Sequence, residues 1–420
     1  MVMPDPTRDA VRPSALRRWL RRHSLTIVAA LGGAAGVAYA ASWQAQPRAP
    51  AALIGPALAA QPGLLTGGEL PRDATVDTVQ IALLLDTSSS MDGLINQARL
   101  HLWAIVDRMG GMTRIVDGKV RGVRVELALY EYGNSRLSSA DGYIRQVLPL
   151  TSDLDTVFEQ LQGLVTSGGS EYAGQAIQRA TRELAWSSDR DALRFVFVAG
   201  NEEFDQGPVS PDAAMAAARG KDISVQLIHC GSGDPTWGAA AQLAGTDLTS
   251  IDQDRVAAVI AAPQDADIVR LGGELNSTYL AYGASGAAAV ARQAAADASS
   301  AKLSAKVAVE RSALKAKKAY RNSTWDLVDK VEDDPGFLAK ADEASLPPAL
   351  RGKPLAEKQA LVAAQAAKRT QLKAELARLE AERTKFLAGE RAKAAPDAPS
   401  LETELVKGTA KIAHKKGWKL

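Results

Sequence analysis

The chain has 420 residues, more than one hydrophobic core ordinarily organises, so a full-sized domain with a second region is expected. Lys and Arg number 50 against 48 Asp and Glu, a balance that gives no general basic field and excludes nucleic acid as an expected partner. Cys230 is the one cysteine, and His23, His101, His229 and His414 are scattered without ligand spacing. An intramolecular disulfide is thereby excluded, a zinc centre is not expected, and any metal has to be held by oxygen.

Residues 1–40 read as a signal peptide or a signal anchor. Arg17, Arg18, Arg21 and Arg22 precede the apolar run from Leu25 to Leu31, and Ala38 and Ala40 suit cleavage after Ala40. The alternative keeps Leu25 to Trp43 as a membrane anchor, since that stretch approaches the roughly 20 residues a spanning helix needs. Both readings export the remainder; in a bacterial cell it would be periplasmic, or attached to the inner membrane by the N-terminal segment and facing the periplasm. Residues 41–75, rich in Pro, Ala and Gly, read as a flexible linker.

From Val79 short apolar runs alternate with amphipathic stretches. Strands are expected at Val79 to Leu85, Arg124 to Tyr130, Ile144 to Leu150, Arg194 to Ala199, Ser224 to His229 and Leu248 to Ile251. Helices are expected at Gly93 to Met109, Asp153 to Leu164, Tyr172 to Ala185, Pro211 to Arg219, Thr236 to Leu243 and Asp265 to Tyr279. This alternation predicts an α/β fold of three layers, a mostly parallel sheet between helices, over residues 76–282. No helix separates the second and third strands, so one of them should be an antiparallel edge strand.

Residues 283–395 shift to Ala, Lys, Arg, Glu and Leu and predict a helical hairpin or a short coiled coil. Helices from Ala287 to Tyr320 and from Leu355 to Lys393 would be separated by Asp334-Pro335-Gly336 and Pro347-Pro348. Leu372, Leu376, Leu379 and Phe386 have coiled-coil spacing for about two heptads, and a hairpin packed on itself or on the sheet is preferred. Residues 396–420, with Lys407, Lys411, Lys415, Lys416 and Lys419, read as a solvated basic tail.

The chemistry gathers at Asp86-Thr87-Ser88-Ser89-Ser90, where a buried strand ends and a helix is about to begin. Ligand sites in open α/β sheets form at that edge. Asp86 brings a charge, and Ser88 and Ser90 bring hydroxyl oxygens, all hard ligands suited to magnesium, manganese or calcium. The competing explanation is that Asp and Ser are common helix N-caps.

These residues resemble the metal-ion-dependent adhesion site of the von Willebrand factor type A family, which opens with D-x-S-x-S at the end of its first strand. The family's second loop supplies a hydroxyl after a Gly-containing turn, which the resemblance places at Ser170 in Ser167-Gly168-Gly169-Ser170-Glu171. Its third loop usually supplies an Asp. That position falls on Gly200 here, with Asn201 and Glu202 as candidate substitutes. The resemblance covers roughly residues 76 to 282, and segments such as Ala128 to Asn134, Leu275 to Tyr279 and Trp325 to Asp329 look like bacterial secreted members. It implies a divalent cation, Mg2+ first and Mn2+ or Ca2+ as alternatives, held by Asp86, Ser88, Ser90 and Ser170 and bridged to an Asp or Glu of a protein partner. Glu131 and Glu171 are candidate partner contacts.

Catalysis is not expected. His229 and Cys230 are strand neighbours that point to opposite faces, and G-x-S-x-G and H-E-x-x-H are absent from the sequence. Asp117-Gly118-Lys119-Val120 lacks what a phosphate loop needs. Metal-dependent protein binding in the cell envelope is therefore the expected function, and a metal-independent structural protein binding through its helices is the alternative.

Overall fold

The computed structural model describes residues 76–252, 254, 260–393 and 400–419. The signal and linker expectations fall on residues 1–75, outside the described residues. The order is β1 (Val76–Asp86), α1 (Asp92–Gly110), β2 (Thr113–Val116), β3 (Lys119–Tyr132), β4 (Ile144–Thr151), α2 (Leu154–Gly163), α3 (Ala173–Glu183), β5 (Leu193–Gly200), α4 (Pro211–Gly220), β6 (Ser224–Cys230), α5 (Pro235–Ala244), β7 (Leu248–Ile251) and α6 (Asp265–Asn276). There follow α7 (Gly286–Leu303), α8 (Ala305–Lys315), α9 (Leu327–Asp333), α10 (Phe337–Lys340), α11 (Leu355–Arg391), α12 (Leu401–Lys415) and β8 (Trp418–Lys419).

The sheet runs β7-β6-β5-β1-β3-β2-β8, with β4 also paired to β3. Its centre, from β7 to β3, is parallel, while β2, β4 and β8 are antiparallel additions. β4 is the antiparallel strand expected from the missing crossover helix. β1 lies in the middle and is buried along nearly its whole length, as a strand covered on both faces must be. Ile81, Leu83 and Leu85 face one core with α1 and α2, and Ala82 and Leu84 face the other with α3, α4 and α5. The parallel register carries Asp86 next to Tyr132 of β3, and Leu85 next to Ala199 of β5.

The helical region departs from its expected form. The run from Ala287 to Tyr320 is broken at Ser304, whose extended backbone (φ −170°, ψ 161°) ends α7 and whose hydroxyl accepts from Val307 N–H to cap α8. Leu376 and Leu379 of α11 are buried in the same core as α6 and α8, so the apolar stripe that suggested a coil is spent within the chain. The basic tail also differs from expectation: residues 401–419 form α12 and β8, with Leu405 and Trp418 buried and β8 hydrogen-bonded to β2. Lysines dominate the composition there, but they line the outer face of a helix whose inner face is apolar. Among the described residues no helix is long and apolar enough to cross a membrane.

Two polar clusters join the helical region to the sheet domain. Arg311 of α8 pairs with Asp155 of α2 at 2.7 Å and Asp297 of α7 at 2.8 Å, between the rings of Trp103 and Tyr320. Arg369 of α11 pairs with Asp326 at 2.6 Å and Asp329 at 2.9 Å, donates to the Thr278 carbonyl at 2.8 Å and lies over Tyr279. The segments from Leu275 to Tyr279 and from Trp325 to Asp329, singled out by resemblance, are thus brought together as the socket for Arg369.

Candidate metal centre

β1 delivers Asp86 fully buried at the carboxyl edge of the sheet. Its Oδ1 accepts from Ser88 N–H at 2.7 Å, which folds the loop back on itself. The Ser88 and Ser90 hydroxyls stand 3.3 Å apart, and Asn201 Nδ2 donates to Ser90 Oγ at 3.0 Å. None of these groups caps α1: the N-cap is Met91, and no side chain bonds to it. The capping explanation is therefore excluded, and the hydroxyls are presented to one another and to Asn201.

Thr87 anchors the loop from behind. Its N–H donates to the Tyr132 carbonyl at 2.8 Å, and its own carbonyl accepts from Ser167 N–H at 2.9 Å, tying in the second loop. Asn134 Nδ2 donates to the Val165 carbonyl at 2.8 Å and to Thr87 Oγ1 at 3.3 Å, holding the two loops together. Gly169 lies so close to the Gly133 backbone that any side chain at 169 would collide with it. Ser170 follows immediately, half-buried, between that contact and Glu171.

Among the described residues Asp86 Oδ2 is buried and makes no hydrogen bond, although the Ser88 hydroxyl and the Asn201 N–H lie near enough to the carboxylate to oppose the rise in its pKa. Burial pushes the Asp86 pKa up to about 7; the hydrogen bonds from Ser88 oppose the rise, and the charge of Glu202 adds to it. Glu171, 8 % exposed, is likewise raised to about 7, first by burial and then by Asp86 and Glu202. Among the described residues neither acid pairs with a Lys, Arg or His. A buried carboxylate oxygen without donor or counter-ion is what an oxygen-ligated cation would satisfy, and the Ser88 and Ser90 hydroxyls beside it are of the matching chemistry. The residues present fit such a cation. No three of His, Cys, Asp and Glu among the described residues converge to hold a metal by themselves, so hydroxyl and water oxygens have to complete the set.

The remaining expected residues divide. Asn201 meets Ser90, as above. Glu202 is exposed and acts on Asp86 only through its charge, while its carbonyl accepts from Trp237 Nε1 at 2.6 Å. Glu131 is buried, takes an ion pair from Arg145 at 2.5 Å and accepts from Thr87 Oγ1 at 3.3 Å. Its carboxylate is committed to holding the loop and is not presented to a partner. Cys230 lies in the core on one side of the sheet, where burial pushes its thiol pKa well up, while His229 packs against Trp237 on the other.

Tyr132 was not anticipated. Its hydroxyl donates to the Ala199 carbonyl at 3.0 Å and fills the space a Cβ on Gly200 would need; Asp86 Oδ2 lies 3.2 Å from that same point. The position where an Asp is usual in the third loop is thus closed to any side chain. The signal lay in the run from Ala128 to Asn134, noticed as a segment but not as a filler for β5.

The family model of the von Willebrand factor type A domain matches residues 80–258. No curated protein matches the chain. Among solved structures, proximal thread matrix protein 1 from the mussel byssus is 14% identical with a TM-score of 0.32, the match covering 42% of this chain and 42% of that one. The same mussel protein with a zinc-occupied MIDAS motif is 14% identical with a TM-score of 0.33, covering 43% of each chain. An aerotolerance-related membrane protein from Bacteroides fragilis, carrying multiple mutations to serine, is 17% identical with a TM-score of 0.30, over 42% of this chain and 93% of that one. The family match, the central parallel sheet and the D-x-S-x-S loop at the end of β1 lead to one assignment: residues 80–258 are a von Willebrand factor type A domain.

Proposed function

We propose that this domain binds a divalent cation and uses it to capture a protein partner, without catalysing a reaction. Asp86, Ser88, Ser90 and Ser170 hold the ion, with Asn201 steering the Ser90 hydroxyl. The ion, Mg2+ by the hardness of these donors, supplies the positive charge that an Asp or Glu of the partner seeks. The observation that carries the reading is Asp86 Oδ2, buried and unpartnered beside two hydroxyls. The N-terminal arginines and apolar run support placing this activity at the cell envelope, on its exported side.

The site's own groups support binding over turnover. Cys230 is buried with its pKa raised, and His229 Nε2 lies 3.3 Å from the Asn201 carbonyl, engaged with the third loop. The test is paired. Calorimetric titration of EDTA-stripped protein with Mg2+, Mn2+ and Ca2+ should give binding that Asp86→Ala abolishes, and partner capture from an envelope fraction should be lost both in EDTA and in Asp86→Ala. Capture unchanged by both treatments rejects the metal bridge.

A further inference from the structure

Gly133 has φ +76°, and a Cβ built on it would lie 2.7 Å from Asp86 Oδ1 and 2.8 Å from Glu171 Cγ. Two acidic side chains, one from the end of β1 and one from the loop before α3, therefore close on a single point beside β3. Only a residue without a side chain allows that approach. Glu171 is buried, and neither it nor Asp86 has a basic partner among the described residues. Like charges brought close together are costly, and a fold that needed only to be stable would separate them or pair them. Here Gly133 admits the approach, and the packing of Gly169 on the Gly133 backbone holds the loop that carries Glu171.

A cation at Asp86 lacks its usual second acid, because the Tyr132 hydroxyl occupies the space a side chain at position 200 would need. Glu171 Cγ and Asp86 Oδ1 both come up to Gly133, at the end of β3, so Glu171 approaches Asp86 from the side of β3 rather than β5. We infer that Glu171 is the second carboxylate of the cation site, supplying from the loop before α3 the charge that residue 200 cannot supply. This rests on the cation reading above and deepens it. The site is built from two acids and neutral oxygens, a donor set for a hard divalent ion. Two carboxylates neutralise such an ion, which explains how a pair of buried acids persists with no Lys or Arg beside it among the described residues.

The test uses the full chain stripped with EDTA and titrated separately with Mg2+, Mn2+ and Ca2+, comparing the parent with Glu171→Gln and Asp86→Ala. Asp86→Ala should remove binding, and Glu171→Gln should weaken affinity by about tenfold or more. In EDTA, Glu171→Gln should melt at or above the parent temperature, because it removes one of two unpaired like charges. An affinity within about threefold of the parent overturns the Glu171 assignment and leaves the Asp86 site standing. A Glu171→Gln protein that melts well below the parent in EDTA also overturns it, since the side chain then supports the fold. A parent that binds none of the three ions overturns the cation reading itself.

Discussion

The Tyr132 hydroxyl stands where a side chain on Gly200 would have to begin, and it donates to the carbonyl of Ala199, the residue just before that glycine. The missing acid of the third loop is thus a packed arrangement rather than a vacancy. Gly200→Asp should therefore fail to restore a carboxylate to the site and should destabilise the fold by about 1–3 kcal/mol, the usual penalty for overpacking. Tyr132→Phe alone should cost about 1 kcal/mol for the lost hydrogen bond. The double variant should cost less than the sum of the two, since Phe vacates the space the Asp needs. Urea unfolding of the four proteins measures the coupling, and strict additivity would show that the two side chains do not compete.

With the Asp86 pKa at about 7, the proposed cation binding would be a proton exchange. Below that value the ion has to displace a proton from each liganding carboxylate, so affinity should fall by about tenfold per pH unit for Asp86 alone and about a hundredfold with Glu171 as second ligand; above it, affinity should level off. Without the ion the sign is opposite. The folded pKa lies above the unfolded one, so between about 4 and 7 the folded state binds the extra proton and stability falls as pH rises through that window. Melting temperatures in EDTA should therefore decline relative to Asp86→Asn between about pH 4 and 7, and saturating Mg2+ should reverse that trend.

The parts of this molecule that sequence discloses are local in sequence. Asp86, Ser88 and Ser90 are within five residues of each other, and the strands of the central sheet are apolar runs of a length strands have. The antiparallel β4 followed from the absence of a helix before it. What stayed hidden is tertiary. Tyr132 and Gly200 lie on strands that flank β1 on opposite sides, so their complementarity has no spacing to read. The β2 strand is four residues long and carries only Ile115 and Val116 as apolar residues. The tail's lysines masked the inner face of α12, where Leu401, Leu405 and Ala413 lie buried. Glu171 was noticed, but its closeness to Asp86 depends on Gly133, which belongs to neither loop.

Arg369 is the lone guanidinium between Asp326 and Asp329, all three nearly inaccessible to solvent. Removing it strands two carboxylates in the interior, so Arg369→Ala should destabilise the protein by about 3–5 kcal/mol. Arg369→Lys should recover only part of this, because an ammonium cannot hold both acids and the Thr278 carbonyl in one plane. Hydrogen exchange should show the loss first in α9 and α11, with β1 and β5 still protected. Equal loss of protection across the sheet would mean that α11 is integral to the sheet's own stability.

The Arg311 cluster should make the packing of α7 and α8 sensitive to acid. Burial alone would raise the Asp297 pKa, but the charges of Arg311 and Lys315 bring it below the ordinary carboxylate value. A depressed acid stabilises the fold above its unfolded pKa, and that contribution is lost as pH falls through the folded value. Asp297→Asn should thus be less stable than the parent at neutral pH, with the gap closing below about pH 4. Thermal melts across pH read this directly. A constant gap would assign the role of Asp297 to its hydrogen bonds with Asn276 and Lys315 rather than to its charge.

Trp418 distinguishes a folded C-terminus from a solvated one. It is 1% exposed, pairs with Arg114 across β8 and β2, and has the Arg114 guanidinium 5.7 Å from its ring. That arginine is held in turn by Asp77 at 2.8 Å. Trp418→Ala should therefore cost about 3–5 kcal/mol, as for a large side chain removed from a core. Among the described residues its indole N–H has no hydrogen-bond partner, so Trp418→Phe should lose packing area but no polar contact and cost clearly less. Urea unfolding of the two variants gives the comparison. An Ala variant as stable as the parent would return residues 401–419 to the solvated tail their charge suggests, whereas the expected loss shows the last strand closing the sheet beside β2.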